Sequence, residues 1–351
     1  MTNNYDVQPS GIYIKIHGMP CVNRCRHCYY HGGDHYRMMP VERIRLVLER
    51  AAELKDSYPM VMVHYFDEPT LHPDFLSLME YQAELGLLPE GYFLPTNGFG
   101  PARMNDAQWE RLKAAGVSEL QLTFYGIGAG HDAFAGRHGA YDDLVKTLVQ
   151  ARRHGLSCYS GIVLHCGNAT DIAGIRQTIM DLAGNGLRVG WFICGWLGRG
   201  ADDAIRPRQA DLANRSGPAG HFMAESEHRR LILEDDALGG QPAVPGICDF
   251  LSLEVQPDLT VYYGGGCDHA PPPELLPFLR LGSLAEEGFA AMAARAAATP
   301  PEPFRLLGNI TWRVLAERYG DPDNDRVYWQ QDLVTNKWGN LFLREHLGLD
   351  R

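Results

Sequence analysis

Three cysteines, Cys21, Cys25 and Cys28, stand in the stretch PCVNRCRHCYY, directly after a β-like run, GIYIKIHG. The chain has eight cysteines, so three in one loop ask for a chemical reason. Structural zinc takes four ligands, and no second Cys/His pair stands at ribbon spacing, though His17, His27 and His31 keep zinc open. A redox pair of Cys25 and Cys28 would leave Cys21 idle. An iron–sulfur cubane fits the set better. Four irons ordinarily take four thiolates, so three cysteines leave one iron open to an exogenous ligand. An open coordination position is a reactive one.

The surrounding elements tell how such a loop would be positioned. Short β-rich runs at 12–18, 60–66, 91–97, 119–126, 159–166 and 188–196 alternate with amphipathic stretches at 41–55, 75–85, 105–116, 141–155 and 171–186. Ile44, Val47, Leu48 and Ala51 show the helical spacing. Gly116, Gly155 and Gly186 close three of the helices. Strand–helix repeats of roughly 30 residues predict parallel strands, helices outside, and functional groups at the C-terminal ends of the strands. Six repeats are two short of a closed eightfold barrel, so an open one is expected. Near Gly198 the pattern changes to a Gly-, Asp-, Arg- and Pro-rich linker, then a short helix at 222–232. CDFLSLEVQPDLTVYYGGGC (248–267) reads as two strands around a Pro-Asp turn, and the rest as mainly helical, including 286–298 and 309–320.

On these residues the chain resembles the radical S-adenosylmethionine (radical SAM) superfamily, whose signature is a C-x3-C-x-aromatic-C loop after the first strand of a partial (β/α)6 barrel. His27 takes the usually aromatic position, where the backbone makes the adenine contact. In YFDEPTLHPDF (65–75) Glu68 matches the family's Gly-Gly-Glu-Pro glutamate, which holds the ammonium of SAM, while Phe66 and Asp67 replace the two glycines. PTNG (95–98) resembles the family's Thr-Asn-Gly and brings in Asn97. In LTFYGIGAGHDAFAGRHGAYDD (122–143), Thr123 stands where a serine often binds the ribose or carboxylate, and Arg137 matches a recurrent arginine. Asn168 matches an asparagine that often reaches the ribose, and ICGWLGRG (193–200) the segment beside the adenine. The resemblance implies a 4Fe–4S cluster on Cys21, Cys25 and Cys28 whose open iron chelates SAM. One electron then yields methionine and a 5′-deoxyadenosyl radical that abstracts a substrate hydrogen.

Cys248 and Cys267 flank the later hairpin, and LRLGSLAEEGF (279–289) follows, an order that resembles the twitch/SPASM extension and its auxiliary 4Fe–4S cluster. Leu259 replaces the turn glycine, and no cysteine follows Cys267, so a second cluster would need Cys166, Cys194 or another ligand. The alternatives are plain packing and a hydrogen-donor role for Cys248, as in an epimerase. Cys158, Cys166 and Cys194, on or beside strands, read as core. The aromatics of VYWQQDLVTNKW (327–338) read as helix packing or as a cap over the barrel mouth.

The expected architecture is α/β: a partial (β/α)6 barrel over 1–200, a linker with a short helix over 201–247, and a twitch/SPASM-like α+β extension over 248–351. A net charge of −11 lacks the basic excess that nucleic acid requires. No apolar run approaches the ~20 residues of a membrane span, and the polar MTNNYDVQPS is no signal peptide. Free thiols then suit the cytoplasm. The expected partners are an electron donor such as flavodoxin or ferredoxin and a small-molecule or peptide substrate. With only about ten residues before the first strand, no leader-recognition domain is expected, and oxidation or epimerisation of a sugar-like metabolite is the first reading. Peptide crosslinking, oxidation or epimerisation is the second, and a non-catalytic metal protein the third.

Overall fold

The computed structural model describes residues 10–28, 38–183, 187–212, 222–244, 250–265 and 272–349. Cys248, Cys267, His31 and the helix-closing Gly186 lie outside them.

The strand–helix alternation folds as β1 (Gly11–Ile16), α1 (Val41–Ala52), β2 (Met60–Tyr65), α2 (Phe75–Glu84), β3 (Phe93–Thr96), α3 (Asp106–Ala114) and β4 (Glu119–Phe124). After these come α4 (Ala129–Ala135), α5 (Ala140–Arg153), β5 (Ser157–Leu164), α6 (Ile172–Ala183) and β6 (Leu187–Ile193). Alternation along β1 sorts its side chains. Ile12, Ile14 and Ile16 are fully buried in one core with Ile44, Val47, Leu48 and Ala51 of α1. Tyr13, Lys15 and, just past the strand, His17 take the opposite, inner face, where they meet Phe66. Asn105 caps α3 through a reciprocal capping box with Gln108. The short α4, between Gly128 and Gly136, is an element the periodicity did not announce.

All six strands are parallel, but they fall into two sheets: β3-β4-β5-β6, and a second in which β1 pairs with β2. Among the described residues no ladder joins β2 to β3. The free edge of β1 is taken by the C-terminal hairpin, β8 (Phe250–Val255) and β9 (Thr260–Gly265), with β8 parallel to β1 in the register Lys15↔Glu254. β10 (Arg280–Ser283) completes that sheet. The hairpin's Leu251, Leu253, Val255 and Val261 share the barrel core.

A second core gathers Ile232, Leu315, Tyr328, Leu333, Trp338 and Phe342 from the later helices. Here β7 (Phe222–Ala224) pairs with β11 (Val327–Trp329). The helix expected at 222–232 therefore begins as a strand and continues as Glu225–Glu234. The one expected at 309–320 is shortened to Trp312–Tyr319. Tyr328 and Trp338 are fully buried, so these two aromatics pack among helices. Lys337 Nζ beneath them bonds Asp203 and Glu225 at 2.8 and 2.7 Å.

Candidate active site

The three-cysteine loop leaves β1 and is strapped from two sides. Arg24 and Arg26 donate their amides to Ala135 and Phe134 at the end of α4, at 2.9 and 3.0 Å. Gly136 (φ 65) allows that approach, because a Cβ there would come within 2.7 Å of the Arg24 carbonyl. From the exit of β6, Arg199 donates its amide to the Cys28 carbonyl at 3.1 Å and its Nε to the Cys25 carbonyl at 3.0 Å. Arg137 holds the loop from the side: its Nε donates to Asn23 at 2.6 Å, and its Nη1 pairs with Asp143 at 2.7 Å.

Beneath the loop lies an aromatic bed of Tyr125, Phe134, His165 and His27, with Cys25 buried in the same cluster. His27 meets Tyr125 edge-on at 5.0 Å, and burial, with His165 and Arg199 nearby, holds its imidazole down at about 4. Burial, followed by the charge of Glu68, pushes the Cys21 thiol up to about 12. Burial pushes Cys25 up to about 11 against a hydrogen bond from Tyr125. Buried thiols so reluctant to ionise become thiolates when a metal supplies the balancing charge.

Two donors are aimed at the sulfurs: the Tyr125 hydroxyl at Cys25, and Asn97 Nδ2 at Cys21 Sγ, 3.6 Å away. No three Cys, His, Asp or Glu side chains among the described residues gather closely enough for a single ion.

At the end of β2, Glu68 is 1% exposed and both its oxygens are engaged. Thr96 donates to Oε1 at 2.7 Å, Thr70 donates to the same oxygen, and the Asn97 amide donates to Oε2. Burial raises its pKa and these bonds oppose the rise. Glu68 thus fastens β2 to β3 where their ladder is missing. Thr123 is half-buried on β4, opposite Gly161 of β5. Asn168 spends both amide hydrogens on the carbonyls of Tyr125 (3.2 Å) and Val163 (2.8 Å), and its oxygen accepts from His165 N at 2.9 Å. Cys158 and Cys194 are buried, and Cys166 is exposed, unlike the core role its sequence suggested.

Two non-glycine residues among those described stand in the left-handed region, Asp67 (φ 71) and Leu259 (φ 70). Both occupy positions where the resemblance expects glycine, so the turns kept their shape while the residues changed. Burial raises the Asp67 carboxyl to about 6, against His17 and the amide of Gly18.

Sequence reasoning did not single out Tyr125, Lys15 or Glu254. Lys15 and Glu254, 0% and 1% exposed, pair at 3.6 Å across β1 and β8, and His17 Nε2 lies 3.3 Å from Glu254. A lysine inside the isoleucine run of β1 was the available signal. A groove of about 430 Å³ lies apart from the thiols, between Thr70–Ser77 and Phe99–Arg111, and none of the expected site residues lines it.

Comparison with known proteins agrees with this geometry. The radical SAM superfamily profile matches residues 16–176. Fe-coproporphyrin III synthase of Methanosarcina barkeri is 23% identical over 163 residues, 46% of this chain and 39% of that protein, so the match spans well under two thirds of it. Among solved structures, native anSMEcpe with bound AdoMet and Cp18Cys peptide aligns with a TM-score of 0.57 at 14% identity, over 97% of this chain and 98% of that one. Streptococcus suis SuiB bound to S-adenosylmethionine aligns at 0.56 and 12%, over 92% and 77%. At such identities these two likenesses speak for the fold. The matched residues hold the thiol loop, Glu68, Asn97 and Tyr125, and in them the chain carries a domain of the radical SAM superfamily.

Proposed function

We propose that this radical SAM enzyme oxidises or epimerises a sugar-like or related natural-product metabolite. The cofactors of the superfamily are a 4Fe–4S cluster and SAM. The observation that supports chemistry over a structural metal is the pair of donors, Tyr125 and Asn97, aimed at sulfurs of a loop strapped to the end of α4 and the exit of β6. Cys21, Cys25 and Cys28 would hold the cluster. When bound, the reduced cluster supplies the electron that cleaves SAM to methionine and a 5′-deoxyadenosyl radical able to take a substrate hydrogen.

The chain's own residues do the rest. Tyr125, Phe134 and His27 keep water from the sulfurs. Glu68 fixes Asn97 and sets the approach for the ammonium of SAM, with Thr123 and Arg137 on the ribose and carboxylate side. Asn168 braces the exits of β4 and β5. The hairpin followed by β10 and the helix Phe289–Ala298 supports a twitch-like extension.

Anaerobic reconstitution tests the reading. About four irons on the loop, lost in Cys25→Ala, with 5′-deoxyadenosine formed from SAM and dithionite, is the expected result. Iron or zinc bound without any 5′-deoxyadenosine would return the loop to a structural role.

A further inference from the structure

The segment that straps the cysteine loop is itself held from late in the chain. Trp196, just ahead of Arg199, donates its backbone N–H to both oxygens of Asp332, at 2.9 and 3.1 Å. Asp332 is buried, and it stands between Tyr328 and Leu333 of the second core. From Trp196 the chain runs directly onto the loop. Arg199 grips the carbonyls of Cys28 and Cys25, and a Cβ on Gly200 would come within 3.0 Å of the His27 carbonyl oxygen.

Behind Asp332 stands an arginine in an uncommon condition. Arg206 is fully buried, yet among the described residues none of its guanidinium nitrogens has a hydrogen-bond partner. It faces Asp332 Oδ2 at 3.6 Å and lies over Tyr328, 4.2 Å from the ring centre. A buried cation without hydrogen bonds costs folding free energy, so stability does not account for it. What Arg206 supplies is a positive charge against a buried carboxylate that already accepts from Trp196 and, at 2.7 Å, from Asn336 Nδ2.

The backbone after Asp332 is also out of the ordinary. Leu333–Trp338 forms a π-helix, a rare geometry that recurs at functional sites. From this turn Asn336 reaches back to Asp332, and Lys337 bonds Asp203, which accepts the Trp196 indole N–H at 3.1 Å. The turn therefore holds Trp196 at its backbone and at its ring. Because Arg199 grips the loop by the carbonyls of two cysteines, a shift of the strap carries those cysteines with it.

We propose that Asp332, with Arg206 behind it, is a positioning residue that holds the cysteine loop in place through Trp196 and Arg199. The loop's role as a cluster site rests on the radical SAM reading, to which this adds a contact from the second core that sets the loop's geometry.

The test labels the thiols of the reduced, metal-free full chain with iodoacetamide and follows each cysteine by mass spectrometry. Buried thiols react through local opening, so the rate reports how tightly each is held. Cys158, buried at the opposite end of β5 and β6 from the strap, is the internal reference for global opening. Asp332→Ala should speed labelling of Cys25 relative to Cys158 by about ten-fold or more. Asp332→Asn, whose oxygen still accepts from Trp196, should fall between the wild type and the alanine variant, and Arg206→Met should also raise the ratio. If the melting curve of Asp332→Ala shows that it fails to fold, the other two variants carry the comparison. An unchanged ratio of Cys25 to Cys158 in every folded variant overturns the positioning role. In the double variant with Arg199→Ala, a combined effect below the product of the single ones supports the route through Arg199, and effects that multiply overturn it. The reconstituted wild type is assayed separately for iron and 5′-deoxyadenosine. Product formation with an unchanged ratio sinks the positioning role alone. A raised ratio in a chain that binds no cluster sinks the radical reading and leaves a loop held from the second core.

Discussion

The carboxylate of Glu68 accepts the backbone N–H of Asn97 across the break between β2 and β3, which no ladder joins among the described residues. Side-chain bonds there stand in for a missing ladder. The side chain of the same asparagine reaches Cys21, so the join between the two sheets is also the approach to the sulfur.

Glu68→Gln should therefore act twice. The new amide keeps one oxygen for the Asn97 N–H but turns its NH2 to the Thr96 and Thr70 hydroxyls, which must reverse from donors to acceptors, and the loss of charge-assisted bonds should cost about 1–3 kcal/mol in unfolding free energy. SAM affinity should fall by about ten- to a hundred-fold with the loss of charge. Chemical denaturation and SAM titration check both. Unchanged SAM affinity in a destabilised variant would confine Glu68 to the join.

Tyr125→Phe removes the hydroxyl that donates to Cys25 while keeping the ring in its aromatic bed. Hydrogen bonds to cluster sulfurs stabilise the reduced, more negative state. For a bond of roughly 1 kcal/mol the midpoint potential should fall by about 40 mV. Redox titration followed by electron paramagnetic resonance reads the shift, and an unmoved potential would rule out this bond.

His131, 1% exposed, is held at about 4 by burial, and its Nδ1 accepts the Tyr125 amide at 3.1 Å. Its folded pKa lies below its unfolded value of 6.5, so between about 4 and 6.5 the unfolded chain binds the extra proton. Stability from this group is complete above pH 6.5 and drains as pH falls, by up to about 1.4 kcal/mol per unit. Unfolding measured from pH 7 to 5 should show that slope, reduced in His131→Asn, whose oxygen can still accept from Tyr125. Equal slopes in the two proteins would assign the acid sensitivity to other groups.

For Cys248 and Cys267 the count of iron decides. If both ligate an auxiliary cluster, the wild type should carry about eight irons and either alanine variant about four. If Cys248 is a hydrogen donor, Cys248→Ala should keep its iron and its 5′-deoxyadenosine yet lose the epimerised product. Four irons in the wild type, with both variants fully active, would leave only packing.

The parallel strands and most of the helices were legible because each carries its own period: the isoleucines of β1 and the Ile44–Ala51 stripe of α1 meet as that spacing requires. The cysteine loop was legible because its chemistry lies within eight residues. What escaped depends on partners distant in sequence. The break between β2 and β3 is a property of two sheets, and the short α4 has glycines on both sides and little periodicity. Lys15 finds its counterion on β8. Asn168 and Arg137 were readable as polar residues near strand ends, but only the fold shows the carbonyls, the Asn23 side chain and the Asp143 carboxylate they hold.

The pairing of β1 with β8 also orders events during synthesis. Gly11 finds its neighbour Phe250 only 239 positions later. At about 5–20 residues per second, β1 waits roughly 10–50 s with one edge bare. An unpaired apolar strand invites wrong partners in that interval. A product terminated before residue 250 would keep that edge open for good, a natural target for chaperones and a seed for aggregation.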